Sequence, residues 1–279
     1  MAGEIIHWNI SGLKCKRSPN YKEKINYLRS FLEKNNSTYI LNIQETHISK
    51  SNELPSILKL HEHLYNFVIA YSRNDDPYSG ILLGIRKTED IISTEILENG
   101  RLVFVKIQNK SNKKIMNIFS IYCNPSDPDK QKDLILRMKR KIMLDNLEDY
   151  IILGDFNFVT SILDRNNNCL NRNDLETLKI WTPFENEFKL QDCFRLTNPS
   201  RRLYSYNSKC NKKIKSRIDR VYVFSNLLGK IISSVFVSNS VSDHKIVKVK
   251  MAMNVDKGPG MWILNNTLLD DVTYTRRLK

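Results

Sequence analysis

The residues able to do chemistry stand at the ends of apolar runs. Tyr150-Ile151-Ile152-Leu153 leads into Gly154 and then Asp155-Phe156-Asn157. In an extended chain Asp155 and Asn157 share one side, and a carboxylate beside an amide suits activating and placing a water for attack at phosphorus. Phe156 between them belongs in a core, which weakens the alternative of a plain turn. Asn9 ends a run in Trp8-Asn9-Ile10-Ser11-Gly12-Leu13, where turn chemistry is the competing reading. Glu45 lies just past Tyr39-Ile40-Leu41-Asn42-Ile43, where, taken alone, a loop carboxylate in water is the plainer reading. Tyr122 follows Ile115 to Ile121, as a rim aromatic or as a donor. Asp219 enters the apolar stretch Ile218 to Phe224, and a carboxylate buried there needs a His or Arg partner. Asp243-His244 precede the last apolar run; Asp243 offers an oxygen ligand, and His244 can donate to a phosphate or take a proton near neutral pH. A surface Asp-His pair is the plainer alternative.

Rigid elements must bring these ends to one rim. Strand-length apolar runs are predicted at Glu4 to Ile10, Thr38 to Ile43, Leu64 to Tyr71, Gly80 to Ile85, Leu102 to Ile107, Lys114 to Ile121, Tyr150 to Leu153, Ile218 to Phe224, Ile231 to Val237 and Lys245 to Met251. Helical spacing is predicted over Tyr21 to Lys34, Asp129 to Asn146 (entered through Ser126-Asp127-Pro128) and Asp174 to Phe188. Strands joined by short turns in the middle of the chain point to antiparallel pairing. The expected class is a layered α/β protein. Gly258-Pro259-Gly260 stops regular structure, so residues 1–253 are expected to form one domain and 254–279 a linker or tail.

Composition bounds the partner. The chain has 279 residues, 41% hydrophobic and 27% charged, the make-up of a globular protein. Its mean hydropathy of −0.42 and its interrupted apolar runs exclude a spanning helix. The start Met1-Ala2-Gly3-Glu4 has no signal-peptide pattern; with five scattered cysteines (Cys15, Cys123, Cys169, Cys193, Cys210), none in C-x-x-C spacing, this suggests reduced thiols and an intracellular setting. Lys and Arg total 44 against 30 acidic residues, a net charge of +14. Such an excess favours a polyanionic partner, nucleic acid first, with solubility charge as the alternative. The run Arg137 to Lys141 reads as the solvated face of a helix, and His61 and His63 as surface residues.

As a set, WNISGL, IQETH, IYCNP, GDFN, SRIDRVYV and SDH, spread over residues 8 to 244, resemble the endonuclease/exonuclease/phosphatase superfamily. The resemblance is to its apurinic endonuclease-like branch, which includes the endonuclease domains of non-LTR (LINE-type) retrotransposons. Leu163-Asp164-Arg165 after GDFN and Leu203-Tyr204-Ser205-Tyr206 favour the retrotransposon members. In the latter, Ser205 stands where Thr is usual and keeps a hydroxyl for phosphate. The segment from Gly258 to Asn265 resembles the join to a reverse transcriptase, to which the domain would be fused.

That resemblance implies a four-layered α/β sandwich (DNase I-like), with two mainly antiparallel sheets flanked by helices. It implies hydrolysis of a phosphodiester in double-stranded DNA, leaving a 5′-phosphate and a 3′-hydroxyl primer for target-primed reverse transcription in the nucleus. Mg²⁺, with Mn²⁺ as substitute, suits an all-oxygen site. Glu45 would be the main ligand, helped by Asp243 and Asn9. Asp155 would activate the water and Asn157 place it, while His244, held in its tautomer by Asp219, would steady the phosphate with Tyr122 as a second donor. Separately from the resemblance, Arg201, Arg202, Lys209, Lys212, Lys213, Lys215 and Arg217 cluster around the Tyr206 to Ser216 connection, either as a charged solvated turn or, because Ser205 and Asp219 flank it, as a basic hairpin tip beside the scissile bond; Arg165 and Ser205 are expected to join them on DNA. A repair apurinic/apyrimidinic endonuclease or a 3′ exonuclease of the same fold is the alternative. Phosphoinositide phosphatases, sphingomyelinases and a catalytically dead DNA-binding module fit less well.

Overall fold

The computed structural model describes residues 2–13, 20–50, 61–208 and 214–252. Their backbone folds into two six-stranded sheets stacked face to face, with helices on both outer sides. The first sheet has the order β13 (Ile231–Val237), β14 (Ile246–Ala252), β1 (Ala2–Asn9), β2 (Thr38–Gln44), β4 (Ile81–Arg86), β3 (Tyr65–Ala70). The second runs β5 (Glu89–Glu98), β6 (Leu102–Asn109), β7 (Ile115–Tyr122), β8 (Tyr150–Asp155), β12 (Asp219–Phe224), β9 (Leu190–Asp192). Neighbours are antiparallel except β1 with β2 and β7 with β8. A small separate ribbon joins β10 (Tyr206–Asn207) to β11 (Lys215–Ser216).

Alternation along the central strands sorts side chains between layers. On β1, Ile6 and Trp8 pack toward helix α1 (Tyr21–Lys34), whose Ile25, Leu28 and Leu32 share their cluster. Ile5, His7 and Asn9 take the other parity and face the second sheet. Phe104 and Phe119 of the second sheet meet Leu134 and Met138 of α2 (Pro128–Leu144) and Trp181 of α3 (Arg172–Glu187). Each such buried aliphatic side chain contributes about 1.5–3 kcal/mol. The α2 start follows its sequence cue, since Asp127 accepts from Lys130 N at 3.1 Å with Pro128 in the first turn. A capping box between Asn171 and Asp174 opens α3.

Between the sheets β1, β2, β7 and β8 run from apolar to polar in the same direction, whereas β4, β6 and β14 stay apolar on this face. Ile5 precedes His7 and Asn9; Ile40 precedes Asn42 and Gln44; Ile118 precedes Ser120 and Tyr122; Ile151 and Leu153 precede Asp155. On β12, antiparallel to β8, the order reverses so that Asp219 pairs with Asp155. The inter-sheet core is therefore dry at one end and polar at the other, and the polar end is the site.

Several elements fall outside the predicted runs, β5 and a short fourth helix among them. Strand β5 lies in no predicted run, because Glu89, Asp90, Glu95 and Glu98 break its apolar pattern; it is a sheet edge, where acidic residues discourage pairing with other chains. A short helix α4 (Cys193–Thr197), capped by Asp192, was also without a sequence cue. The expected tail, residues 254–279, lies outside the described residues. Among the described residues no helix is long and apolar enough to cross a membrane. Cys123 and Cys193 are buried free thiols and Cys169 an exposed one, while Cys15 and Cys210 lie outside the described residues.

Candidate active site

Strand direction decides which side chains meet. Asn9, Tyr122 and Asp155 end β1, β7 and β8, and Glu45 follows β2. Asp219 opens β12, antiparallel to β8, and His244 leads into β14, antiparallel to β1. All six therefore reach the same rim. Asn9 Nδ2 donates to Glu45 Oε1 at 2.7 Å and to Asp155 Oδ2 at 3.0 Å, while its Oδ1 accepts from Ser11 N at 3.1 Å. The Tyr122 hydroxyl donates to the same Glu45 Oε1 at 2.8 Å. His244 Nδ1 stands 2.8 Å from Asp219 Oδ2 and 4.0 Å from Asp155 Oδ2.

The loop carrying Glu45 is held in an uncommon backbone shape. Glu45 and His47 have φ of +52° and +55°, a region that non-glycine residues seldom adopt. Gly80 permits this: a Cβ there would fall 2.3 Å from Thr46 Oγ1. Gly154 of the GDFN segment is equally required, because a Cβ on it would sit 1.8 Å from the Ile121 carbonyl oxygen and 2.8 Å from Gln44 Nε2. Asp155 N donates to Gln44 Oε1 at 2.9 Å, so the absent side chain lets Gln44 brace Asp155. Ser242 ties the last piece in, donating to the Asn9 carbonyl at 2.8 Å and accepting from His244 N at 3.1 Å.

These bonds and charges set the ionisation of the site. Burial pushes the Glu45 carboxyl up, but the neighbouring His47 ring, hydrogen bonds from Asn9 and Tyr122 and the charge of His244 outweigh it and hold Glu45 at about 2. Asp155 is raised by burial and by the nearby carboxylates of Asp219 and Glu45, against the pull of His244. Asp219 is lowered: burial opposes this, yet the His244 charge and bonds from both His244 and His7 prevail. His244 is raised despite its burial, chiefly by Asp219. Burial and the Glu45 charge raise Tyr122, which keeps its proton as a donor.

A divalent cation fits this donor set. Among the described residues, ligand atoms of Glu45, Asp155 and His244 lie within 4.8 Å of one another. Glu45 is ionised and commits only Oε1 to Asn9 and Tyr122, which leaves Oε2, 3.8 Å from His47 Nε2. Ionised carboxylate oxygen is the ligand type a hard cation takes.

Several site expectations change. Asn9 turns its donor, not its oxygen, toward the carboxylates, so it bridges them. Tyr122 gives its single hydroxyl proton to Glu45 and therefore positions that carboxylate instead of donating to phosphate. Asp243 is outside the three-residue group; its carbonyl accepts from Asn207 N at 3.0 Å. Asn157 is not in extended chain: its φ is +53°, its backbone N–H donates to Asp155 Oδ1 at 3.0 Å, and its amide to the Cys123 carbonyl at 2.9 Å.

The basic residues divide. Arg217 is fully buried, with Nε and Nη2 on Asp164 at 2.7 and 2.8 Å and Nη1 2.6 Å from Asp192; it is a core ion pair and cannot touch DNA. Arg165 pairs with Asp174 at 2.9 Å and is mostly covered. Ser205 is buried, its hydroxyl accepting from Ile218 N and Asp219 N at 3.1 Å each, so it anchors the Asp219 strand and cannot reach a phosphate. Arg201, Arg202 and Lys215 are exposed, whereas Lys209, Lys212 and Lys213 lie outside the described residues.

Sequence reasoning missed His7, Asn42, Gln44 and Ser120, all buried between the sheets. Part of the signal was available: His7 and Ser120 sit two residues before Asn9 and Tyr122 at the same strand parity, Gln44 adjoins Glu45, and Asn42 shares the parity of Gln44, each in an otherwise apolar run.

Comparisons with known proteins agree with this geometry. A curated relative, the "Transposon TX1 uncharacterized 149 kDa protein" of Xenopus laevis, is 24% identical over 193 residues, which is 68% of this chain but only 14% of that protein. Among solved structures, an AP endonuclease from Leishmania major superposes with a TM-score of 0.75 at 17% identity, covering 91% of this chain and 88% of that one. A 3′-5′ exonuclease from Neisseria meningitidis gives 0.68 at 15% identity, covering 90% and 100%. These likenesses establish the shared fold. The model of the Endonuclease/Exonuclease/phosphatase family matches residues 6–244, nearly the whole described domain, and the chain belongs to that family.

Proposed function

We propose that this domain is a metal-dependent endonuclease that nicks double-stranded DNA, leaving a 3′-hydroxyl that primes reverse transcription for a LINE-type retrotransposon. The observation that carries the chemistry is the single cluster of Asn9, Glu45, Tyr122, Asp155, Asp219 and His244 at one sheet end. Similarity to a transposon protein, only 14% of which it covers, supports the mobile-element reading and a place in a longer chain; that the remainder holds a reverse transcriptase is what the sequence resemblance implies.

Glu45, with Asp155 beside it, would hold Mg²⁺ or Mn²⁺, which when bound neutralises charge on the phosphate. Asp155, more basic than an ordinary carboxylate through burial and its acidic neighbours, takes a proton from the attacking water. The water oxygen bonds to phosphorus and the bond from phosphorus to O3′ breaks; the departing O3′ oxygen takes a proton from solvent, which leaves a 3′-hydroxyl and a 5′-phosphate. His244, kept cationic by Asp219, faces the phosphoryl oxygens as the charge grows. Asn9 and Tyr122 keep Glu45 and Asp155 at their spacing. Exposed Arg201, Arg202 and Lys215 bind the DNA backbone.

The test uses matched duplex oligonucleotides, one intact and one with an abasic site, in Mg²⁺. Cleavage of the intact duplex to ends that a polymerase extends supports the proposal. Cleavage confined to the abasic duplex would move the chain to DNA repair.

A further inference from the structure

One step below the site, β1, β2 and β7 place His7, Asn42 and Ser120 in the inter-sheet space, none of them exposed. Polar groups so deep are tolerated only when bonded, and these satisfy one another in one direction. Gln44 Nε2 donates to Ser120 Oγ at 3.1 Å, and the Ser120 hydroxyl donates to Asn42 Oδ1 at 2.7 Å. Asn42 Nδ2 in turn donates to His7 Nδ1 at 3.1 Å. A ring nitrogen that accepts carries no proton, so the network assigns the His7 proton to Nε2, the atom 3.0 Å from Asp219 Oδ1. Asp219 is thereby held at both oxygens, by His7 at Oδ1 and by His244 at Oδ2, 2.8 Å away.

We propose that His7 is a positioning residue for the reaction: acting through Asp219, it fixes the carboxylate plane so that Oδ2 orients the His244 ring toward the scissile phosphate. A carboxylate held at one oxygen can still turn about its terminal torsion, which is broad and two-fold. A second donor on the other oxygen removes that freedom, and the donor is itself fixed by Asn42, Ser120 and Gln44. Because Gln44 also accepts from Asp155 N at 2.9 Å, the same chain braces the backbone of the residue that receives the water proton. The inference rests on the phosphodiesterase reading of the site.

The experiment compares wild type with His7→Leu, His7→Gln, Ser120→Ala, His244→Ala and the His7→Leu/His244→Ala double variant, all in the full chain. One readout is the single-turnover nicking rate beside DNA affinity; the other is the NMR resonance of the His244 Nδ1–H, which needs no activity. His7→Leu is expected to slow nicking by on the order of 10- to 100-fold with affinity unchanged, and to move the His244 resonance. His7→Gln, which can still donate to Asp219, restores most of the rate. In the His244→Ala background His7→Leu has no further effect, since the two act as one unit. Equal losses in both backgrounds would make His7 merely structural and overturn the proposal. A His244 resonance unmoved in every folded variant, Ser120→Ala included, would overturn it as well. If the wild type nicks no DNA, the functional reading fails, while the resonance still decides whether His7 sets the His244 ring.

Discussion

Glu45 is the side chain whose surroundings do most to define the site. Two donors converge on one oxygen, Asn9 at 2.7 Å and Tyr122 at 2.8 Å, so the carboxylate is ionised and aimed before any cation arrives. A hydrogen bond to a charged group is worth about 1.5–3 kcal/mol, and removing one lets the carboxylate wander. Tyr122→Phe, which keeps the ring over Arg101 at 4.4 Å, is therefore expected to lower the single-turnover rate by roughly 10-fold or more, and to raise the Mg²⁺ concentration needed for half-maximal rate. A variant with the wild-type rate and metal dependence would show that the hydroxyl does not position Glu45. Surface charge is a separate residue-scale matter. Arg202→Ala with Lys215→Ala should weaken binding to any duplex and flatten the salt dependence by about one unit of slope for every phosphate no longer neutralised; an unchanged slope in a binding titration would remove them from the DNA path.

Among elements, the Asp164 turn and the Arg217 strand entry form the main buried electrostatic joint outside the site. Asp164 accepts from Arg217 and also from Arg195, and Arg217 reaches Asp192 at the cap of α4. This ties the LDR segment, β12 and α4 into one unit and so fixes where Asp219 starts. Breaking such a pair leaves a buried charge unmatched, so Asp164→Asn is expected to destabilise the fold by about 3–5 kcal/mol in urea unfolding; a change under about 1 kcal/mol would contradict the joint. Burial opposes ionisation of Asp164, yet the Arg217 charge and bonds hold its carboxyl below the usual 3.8. Its stabilisation is then fully present above about pH 4 and lost as pH falls through the lower folded-state value. Stability curves from about pH 6 to about pH 2 should show this loss in wild type and a shallower one in Asp164→Asn.

The same elements show what the sequence could convey. Runs such as Tyr150 to Leu153 and Val221 to Phe224 are apolar on both faces, so burial alone marks them, and the residues at their ends could be read as a rim. Ser205 and Arg217 looked like DNA-binding residues because their types suit phosphate. Only the third dimension reveals that strand β12 covers one and Asp164 neutralises the other. Tyr122 and Asn9 were legible as site members but not in their direction of donation, which depends on the loop holding Glu45 at φ +52°. Strand β5 was illegible because its pattern serves an edge, not a core.

For the molecule as a whole, the net charge of +14 and the carboxylates gathered at one sheet end both fit the proposed reading. A positive field favours a polyanion, and on that reading the local carboxylates, unfavourable to a phosphate by themselves, would take a cation between. The two-sheet sandwich supplies the rigidity, since its polar end is braced from below by bonded buried groups and its outer faces are closed by helices. Nicking of supercoiled plasmid in Mg²⁺ tests this account most directly, with EDTA and Asp155→Ala run beside wild type. Wild type is expected to give open-circular product in Mg²⁺, Asp155→Ala to give it more slowly by about 10²- to 10⁴-fold, and neither to give it in EDTA. Nicking that persists in EDTA, or in Asp155→Ala at the wild-type rate, would contradict this account.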